Sequence, residues 1–235
     1  MILVGRMHRA GVSAMDQGFR NSGLNTAASA VLDCLARDIE SLWLPAADGP
    51  AVDPVFSRSA TNLACAPASS PPGLFGAAMP DELYLVARSG TPDAGRRAFA
   101  QVHYFVAPMQ DAAGADVPNR FRLARSAVEA RADLSVYREE PWYDHHADTN
   151  TQTVVENVRT FRVEGSLPPG GPSLSIYLEA MTEADAARLA EIWSAAADDA
   201  GRRAAARYAD RAVRRYACRI APDGLGVVAG ETGAP

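Results

Sequence analysis

Leu24-Asn25-Thr26-Ala27-Ala28-Ser29-Ala30-Val31-Leu32-Asp33-Cys34-Leu35-Ala36-Arg37-Asp38-Ile39-Glu40-Ser41-Leu42-Trp43 is the stretch from which the rest of the chain is read. Its apolar residues Leu24, Ala28, Val31, Leu32, Leu35, Ile39, Leu42 and Trp43 recur at three- and four-residue intervals, the spacing of a helix with one narrow apolar seam. Asn21, Asn25, Arg37, Asp38 and Glu40 flank the seam, so one face is expected to be wet and the other to lie against a core. Pro45 is the expected stop, because a proline cannot donate the next helical hydrogen bond. Upstream, Met1-Ile2-Leu3-Val4-Gly5-Arg6-Met7 reads as the last turns of a more apolar helix. That short run meets neither the roughly 20 apolar residues of a membrane span nor the charged start and small-residue cleavage site of a secretory signal. Residues 1–44 are therefore expected to form an N-terminal amphipathic helix.

Beyond Pro45 the composition changes. Pro45 to Pro80 is dense in proline, glycine, serine and alanine, which predicts irregular structure with one short strand near Ala51 to Phe56. The period then becomes two. Strands are expected at Glu82–Ala87, Phe99–Ala107, Arg120–Arg125, Val154–Glu164 and Ser173–Ala180, and most connections are too short for helical crossovers, so the sheet should be antiparallel. Thr182, with Asp185 three residues on, opens a helix carrying Ala186, Leu189, Ile192, Trp193 and Ala196. A second helical stretch spans Ala200 to Val213, Arg214 to Ile220 returns as a strand, and 221–235 reads as a tail. The expected class is α+β: a long N-terminal helix packed on antiparallel sheet over 45–220, with helices near 183–213 inserted before the last strand.

The chain has 235 residues, a net charge of −5 and a pI near 5.4, with its 23 basic residues scattered. Nothing in that distribution resembles the footprint of a nucleic-acid binder. Every basic residue is arginine, which excludes a lysine nucleophile or a phosphate-loop lysine. Cys34, Cys65 and Cys218 have no metal-binding spacing; Cys34 and Cys218 read as core residues, and Cys65 would pair only in an oxidising compartment.

Three sets of runs resemble a known group. Ala30-Val31-Leu32-Asp33-Cys34-Leu35-Ala36-Arg37-Asp38-Ile39-Glu40-Ser41, preceded by Asp16-Gln17-Gly18-Phe19-Arg20-Asn21, resembles the amphipathic half of a minor pseudopilin helix. Glu156-Asn157-Val158-Arg159-Thr160-Phe161-Arg162-Val163 resembles a strand of pseudopilin J of type II secretion. Ser166-Leu167-Pro168, Leu174-Ser175-Ile176-Tyr177-Leu178-Glu179 and Thr182-Glu183-Ala184-Asp185-Ala186-Ala187-Arg188 resemble a segment of the Verru_Chthon cassette protein C family, a pseudopilin-like group. The resemblance covers about residues 15–220 through short, degenerate motifs.

It implies a non-enzymatic, cofactor-free structural subunit of a type II secretion or type IV pilus-like assembly. Its partners would be other pseudopilin-like subunits and the secretion or pilus machinery. Its place would be the bacterial inner membrane and periplasm, or a surface fibre. These families open with a basic leader, a Gly-Phe cleavage junction, a glutamate at mature position five and an apolar span. That arrangement is not found here, so no processing residue is carried over, and Met1 is expected to be an internal methionine of a longer, membrane-anchored protein that is soluble in the form given. The seam residues Leu3, Met7, Leu24, Ala28, Val31 and Leu35 are the expected partner-binding positions. From Val31 onward the same seam also reads as the domain's own core, which leaves Leu3 to Leu24 to project beyond it.

One polar cluster offers a different chemistry. Trp142-Tyr143-Asp144-His145-His146-Ala147-Asp148 holds ligands suited in kind to zinc or nickel, at Asp144, His145, His146 and Asp148. Adjacent histidines on extended backbone point to opposite sides, so the spacing favours a solvated loop over a metal-dependent hydrolase. Trp142 and Tyr143 would instead serve a soluble ligand- or protein-binding module. His103 lies within a strand and reads as a satisfied or solvent-facing histidine, and Glu139-Glu140 before Pro141 as turn residues. No nucleophile elbow, zincin, dinucleotide-binding or Walker motif is present.

Overall fold

A computed structural model describes residues 22–42, 55–59, 75, 77, 79–88, 99–129, 143, 148, 150–165 and 174–220. Within them the chain is α+β, with antiparallel sheets and three helices. The first helix, α1, spans residues 22–40. It is followed by β1 (Val55–Ser59), β2 (Asp81–Arg88), β3 (Phe99–Gln110), β4 (Asp116–Glu129) and β5 (Gln152–Glu156). Then come β6 (Val158–Glu164), β7 (Leu174–Ala180), α2 (Glu183–Ala195), α3 (Asp199–Ala212) and β8 (Arg214–Ile220).

Helix α1 ends at residue 40, short of the 44 expected, and residues 1–21 lie outside the described residues. It stops before Pro45 is reached. Leu42 leaves the helix to make a β-bridge with Ala87 of β2, while the Ser41 hydroxyl donates to the Asp38 carbonyl at 2.9 Å and covers one of the last open acceptors. Toward its other end, Asn25 accepts a hydrogen bond from the Tyr216 hydroxyl of β8 at 2.7 Å. Between these ends Asp38 meets Tyr104 of β3 and Arg125 of β4. The helix thus runs from the β5 and β8 side across to β2.

The strands build two sheets, ordered β1-β2-β3-β4-β5 and β6-β7-β8. All pairings are antiparallel. The β3–β4 hairpin turns through 111–115, where the Asp111 carboxylate accepts from the amides of Ala113 and Ala115, both at 2.9 Å. Gly114 takes φ +82° there, a conformation that suits glycine. The strand β4 begins at Asp116, ahead of the expected start at Arg120. It absorbs Pro118 in an irregularity at Asn119, φ 57°, where the register with β3 shifts.

Val154–Glu164, expected as one strand, is two strands in two sheets. Asn157, at φ 59°, breaks it. Left-handed backbone is tolerated by asparagine far better than by the β-branched residues beside it. The corner is held by the Met181 amide, which donates to the Asn157 carbonyl at 2.9 Å. From there β6 approaches the ends of β2, β3 and β4, and the Val163 amide donates to Asp81 at 2.9 Å.

One core serves the helix and both sheets. Val31, Leu35 and Ile39 of α1 join Leu83, Leu85, Val102, Tyr104 and Leu123 of the first sheet, and Phe161, Ile176 and Leu178 of the second. β7 alternates as expected, with Leu174, Ile176, Leu178 and Ala180 buried and Tyr177 exposed. The expected cap is also present: the Thr182 hydroxyl accepts from the Asp185 amide at 3.2 Å and donates to its carboxylate at 2.7 Å.

Candidate functional site

The partner-binding expectation rests on α1, so the fate of its seam decides what surface remains. Ala28, Val31 and Leu35 are 0, 1 and 0% exposed. Their apolar area is spent inside the domain, the core role also expected of the seam from Val31 onward. Leu24 differs: with Gly23 and Ala27 it forms one wall of a groove of about 740 Å³. Strand β5 supplies another wall through Val154 and Glu156, and the start of α2 a third through Met181, Glu183 and Ala187. Among the described strands β5 ends its sheet, paired only with β4. Leu3 and Met7, the other expected seam residues, lie outside the described residues.

Asp38 is a correction. Expected on the wet flank, its side chain instead faces inward. Its Oδ2 accepts from the Tyr104 hydroxyl at 2.5 Å and from Arg125 Nε at 2.8 Å, and its Oδ1 accepts from Arg125 Nη2 at 3.1 Å. Burial, then the Asp38 charge, pushes the Tyr104 hydroxyl far above the usual phenol range, so it acts as a fixed donor. Arg125 is held charged. Burial opposes its charge, and the Asp38 hydrogen bonds and charge outweigh that opposition. Cys34 joins this cluster with its sulfur 3.5 Å from the Tyr104 oxygen. No apolar-period argument identifies such a triad, since its members come from three elements.

A similar convergence anchors the groove. Arg120 Nε and Nη2 donate to Asn157 Oδ1 at 2.9 and 2.6 Å, Asn157 Nδ2 donates to Glu183 Oε2 at 3.1 Å, and Arg120 Nη2 also donates to that oxygen. The Arg120 hydrogen bond is the main cause that holds the Glu183 carboxyl below the usual carboxylate range; burial opposes it, and Asn157 adds to the lowering. The unfolded chain therefore takes up this proton first as the pH falls. The resulting stability is present above the ordinary glutamate pKa of about 4.3 and is lost as pH drops through the lower folded value. Glu183→Gln is expected to flatten the acid side of a stability-against-pH curve from urea unfolding. An unchanged acid slope would refute this linkage.

The loop read as a possible metal site meets the face of the first sheet opposite α1. Asp148 Oδ1 lies 2.9 Å from His103 Nδ1, and the His103 ring stacks between Tyr84 and Phe105 at 4.0 and 4.4 Å. His103 is 4% exposed and pairs through Nδ1 with Asp148, so it is not the solvent-facing strand histidine. Tyr143 packs against Tyr84 at 5.8 Å, and Arg58 lies over both rings. Arg58 also donates to Glu82 at 3.0 Å and to the Tyr84 hydroxyl at 3.1 Å. Burial first, and then Glu82, raises Tyr84 well above the usual phenol range. The described part of the loop is thus docked on the sheet and not simply solvated. Asp144, His145 and His146 lie outside the described residues, as do Trp142, Glu139 and Glu140. Among the described residues no three potential ligands converge on a metal position.

Cys218 is a free, buried thiol, pushed up to about 11 by burial and so kept protonated at neutral pH. Cys34 is free and half-buried, and Cys65 lies outside the described residues. Among the described residues no helix is long and apolar enough to cross a membrane.

No family model, no curated protein and no solved structure matches the chain.

Proposed function

We propose that this chain is a non-catalytic structural subunit of the minor pseudopilin or prepilin-like kind, working in a type II secretion or type IV pilus-like assembly. The observation that carries the reading is the placement of α1. One face of this helix is built into the core of an antiparallel α+β domain, and its first described residues, Ser22 and Gly23, are exposed, next to Leu24 at the β5 groove and Asn25 at β8. A stem helix that delivers a globular domain to an assembly needs such a C-terminal half fixed to the domain. The sequence ahead of Ser22 fits the role in composition, with Ile2-Leu3-Val4 and Met7 beside Arg6 and Arg9. In the assembly the stem would anchor the subunit at the inner membrane before incorporation, and the sheets would face the periplasm or the exterior.

Fractionation of the source cells, followed with an antibody to the domain, tests this. The native protein is expected in the inner-membrane fraction, released by detergent, or in the sheared surface-fibre fraction. Recovery as a monomer in the cytosolic fraction would overturn the reading.

A further inference from the structure

The groove beside α1 is asymmetric in charge. Its walls are apolar at Leu24, Ala27, Val154, Met181 and Ala187, and its charged lining residues, Glu156 and Glu183, are both acidic. Glu183 gives one carboxylate oxygen to Arg120 and Asn157 and keeps a largely exposed side chain, while Glu156 is exposed on β5. A matching occupant is therefore a short segment that carries apolar side chains and positive charge together.

The runs 117–128 and 214–222 share that chemistry but are strands of the fold, which leaves the N-terminal segment among the stretches outside the described elements. Met1-Ile2-Leu3-Val4-Gly5-Arg6-Met7-His8-Arg9-Ala10 has five large apolar side chains, two arginines and no carboxylate before Asp16. At helical spacing Leu3, Met7 and Ala10 fall on one side, and Arg6 and Arg9 flank them. The groove's mirror of this pattern is an apolar floor with Glu156 and Glu183 at its rim. We propose that the groove receives the Met1–Ala10 segment of a second copy of this chain, with Leu3 and Met7 on the apolar walls and Arg6 or Arg9 against Glu156. The inference rests on the assembly reading above and names its partner surface.

Such a contact is head to tail: each copy offers a segment and a groove, which are different stretches of the chain. Heterologous contacts of this type propagate into an open chain unless the rotation closes a ring. The groove holds only a few side chains, so one contact buries less than the ~1,200 Å² of a standard interface, and the affinity should be weak and reversible. Addition of copies would then depend on local concentration, as it would at a membrane or fibre end.

Sedimentation velocity of the full chain, run over about three decades of concentration, tests the proposal through a charge exchange. Wild type is expected to grow with concentration beyond a dimer, and less so at high salt. Glu156→Arg and Arg6→Glu, each alone, are expected to weaken association at least about fivefold by placing like charges together. The chain carrying both substitutions should recover association to within about twofold of wild type, because the pair is restored with its signs exchanged. Glu156 is exposed on β5 and Arg6 lies outside the described residues; circular dichroism of each variant checks that the fold is retained. A monomer at every concentration overturns the proposal, whether the groove is empty or filled by the chain's own segment. So does aggregation insensitive to both substitutions, or a double variant no better than the singles. If these results come with native protein in the membrane or fibre fraction, the groove contact alone has failed. If the charge exchange behaves as expected while the native protein is cytosolic, the assembly reading has failed and the self-association stands.

Discussion

Leu35→Ala is expected to lower the unfolding free energy by about 3 kcal/mol, within the ~2–5 kcal/mol that buried leucine truncations cost. Leu35 is fully buried in the core cluster that joins α1 to Leu83, Leu85, Val102 and Leu123 of the first sheet and to Phe161 of the second. Truncation removes apolar contact on several sides at once, and neither sheet can close the gap without shifting its paired strands. Urea unfolding monitored by tryptophan fluorescence and circular dichroism measures the effect. A loss under about 1 kcal/mol would mean that α1 is not held on the sheet through this face. Ser29→Ala, on the exposed side of the same helix, is the control and is expected to change stability by no more than about 0.5 kcal/mol.

The second large effect is expected at Asp38. Asp38→Ala removes the acceptor of the Tyr104 hydroxyl and both bonds of the Arg125 guanidinium, leaving a half-buried cation without its counter-charge. Breaking such a pair from one side costs about 3 kcal/mol, more than the pair contributes against an apolar replacement. The variant Asp38→Asn separates the two parts of that cost. Asparagine can still accept from Tyr104 or Arg125 but supplies no charge, so its loss should fall between wild type and alanine. If asparagine and alanine are equally destabilised, charge carries the interaction; if asparagine matches wild type, hydrogen bonding does. A fully stable Asp38→Ala would contradict the inward placement of this side chain.

These two residues mark what the sequence disclosed and what it withheld. The helix was legible because Leu24 to Leu42 repeat at helical spacing, and the buried identity of Val31 and Leu35 follows from that period. Asp38 was not legible as an inward group. A carboxylate beside a seam reads as solvated unless its partners are known, and Tyr104 and Arg125 lie 66 and 87 residues away. Local chemistry fared well: the Thr182 cap, the alternation of β7 and the return strand Arg214–Ile220 all depend on neighbours in sequence. The break at Asn157 did not show itself. An asparagine within Val154-Val155-Glu156-Asn157-Val158 disturbs strand composition little, and its left-handed backbone appears only in three dimensions.

The candidate site follows the same division. The seam was found by period, but its division into core at Ala28, Val31 and Leu35 and groove wall at Leu24 depends on where β5 and α2 stand. The acidic rim at Glu156 and Glu183 came from two elements that sequence treats separately. Likewise the contact between Asp148 and His103 joins a loop to a strand across 45 residues, and neither residue's own neighbourhood announced the other.

Reading the coding DNA in frame upstream of the Met1 codon tests whether α1 continues into the stem that the proposed function requires. The expected result is a basic leader, a Gly-Phe junction with a glutamate four residues beyond the phenylalanine, and about 20 apolar residues running into Ile2. An in-frame stop codon directly ahead of Met1 would contradict the account.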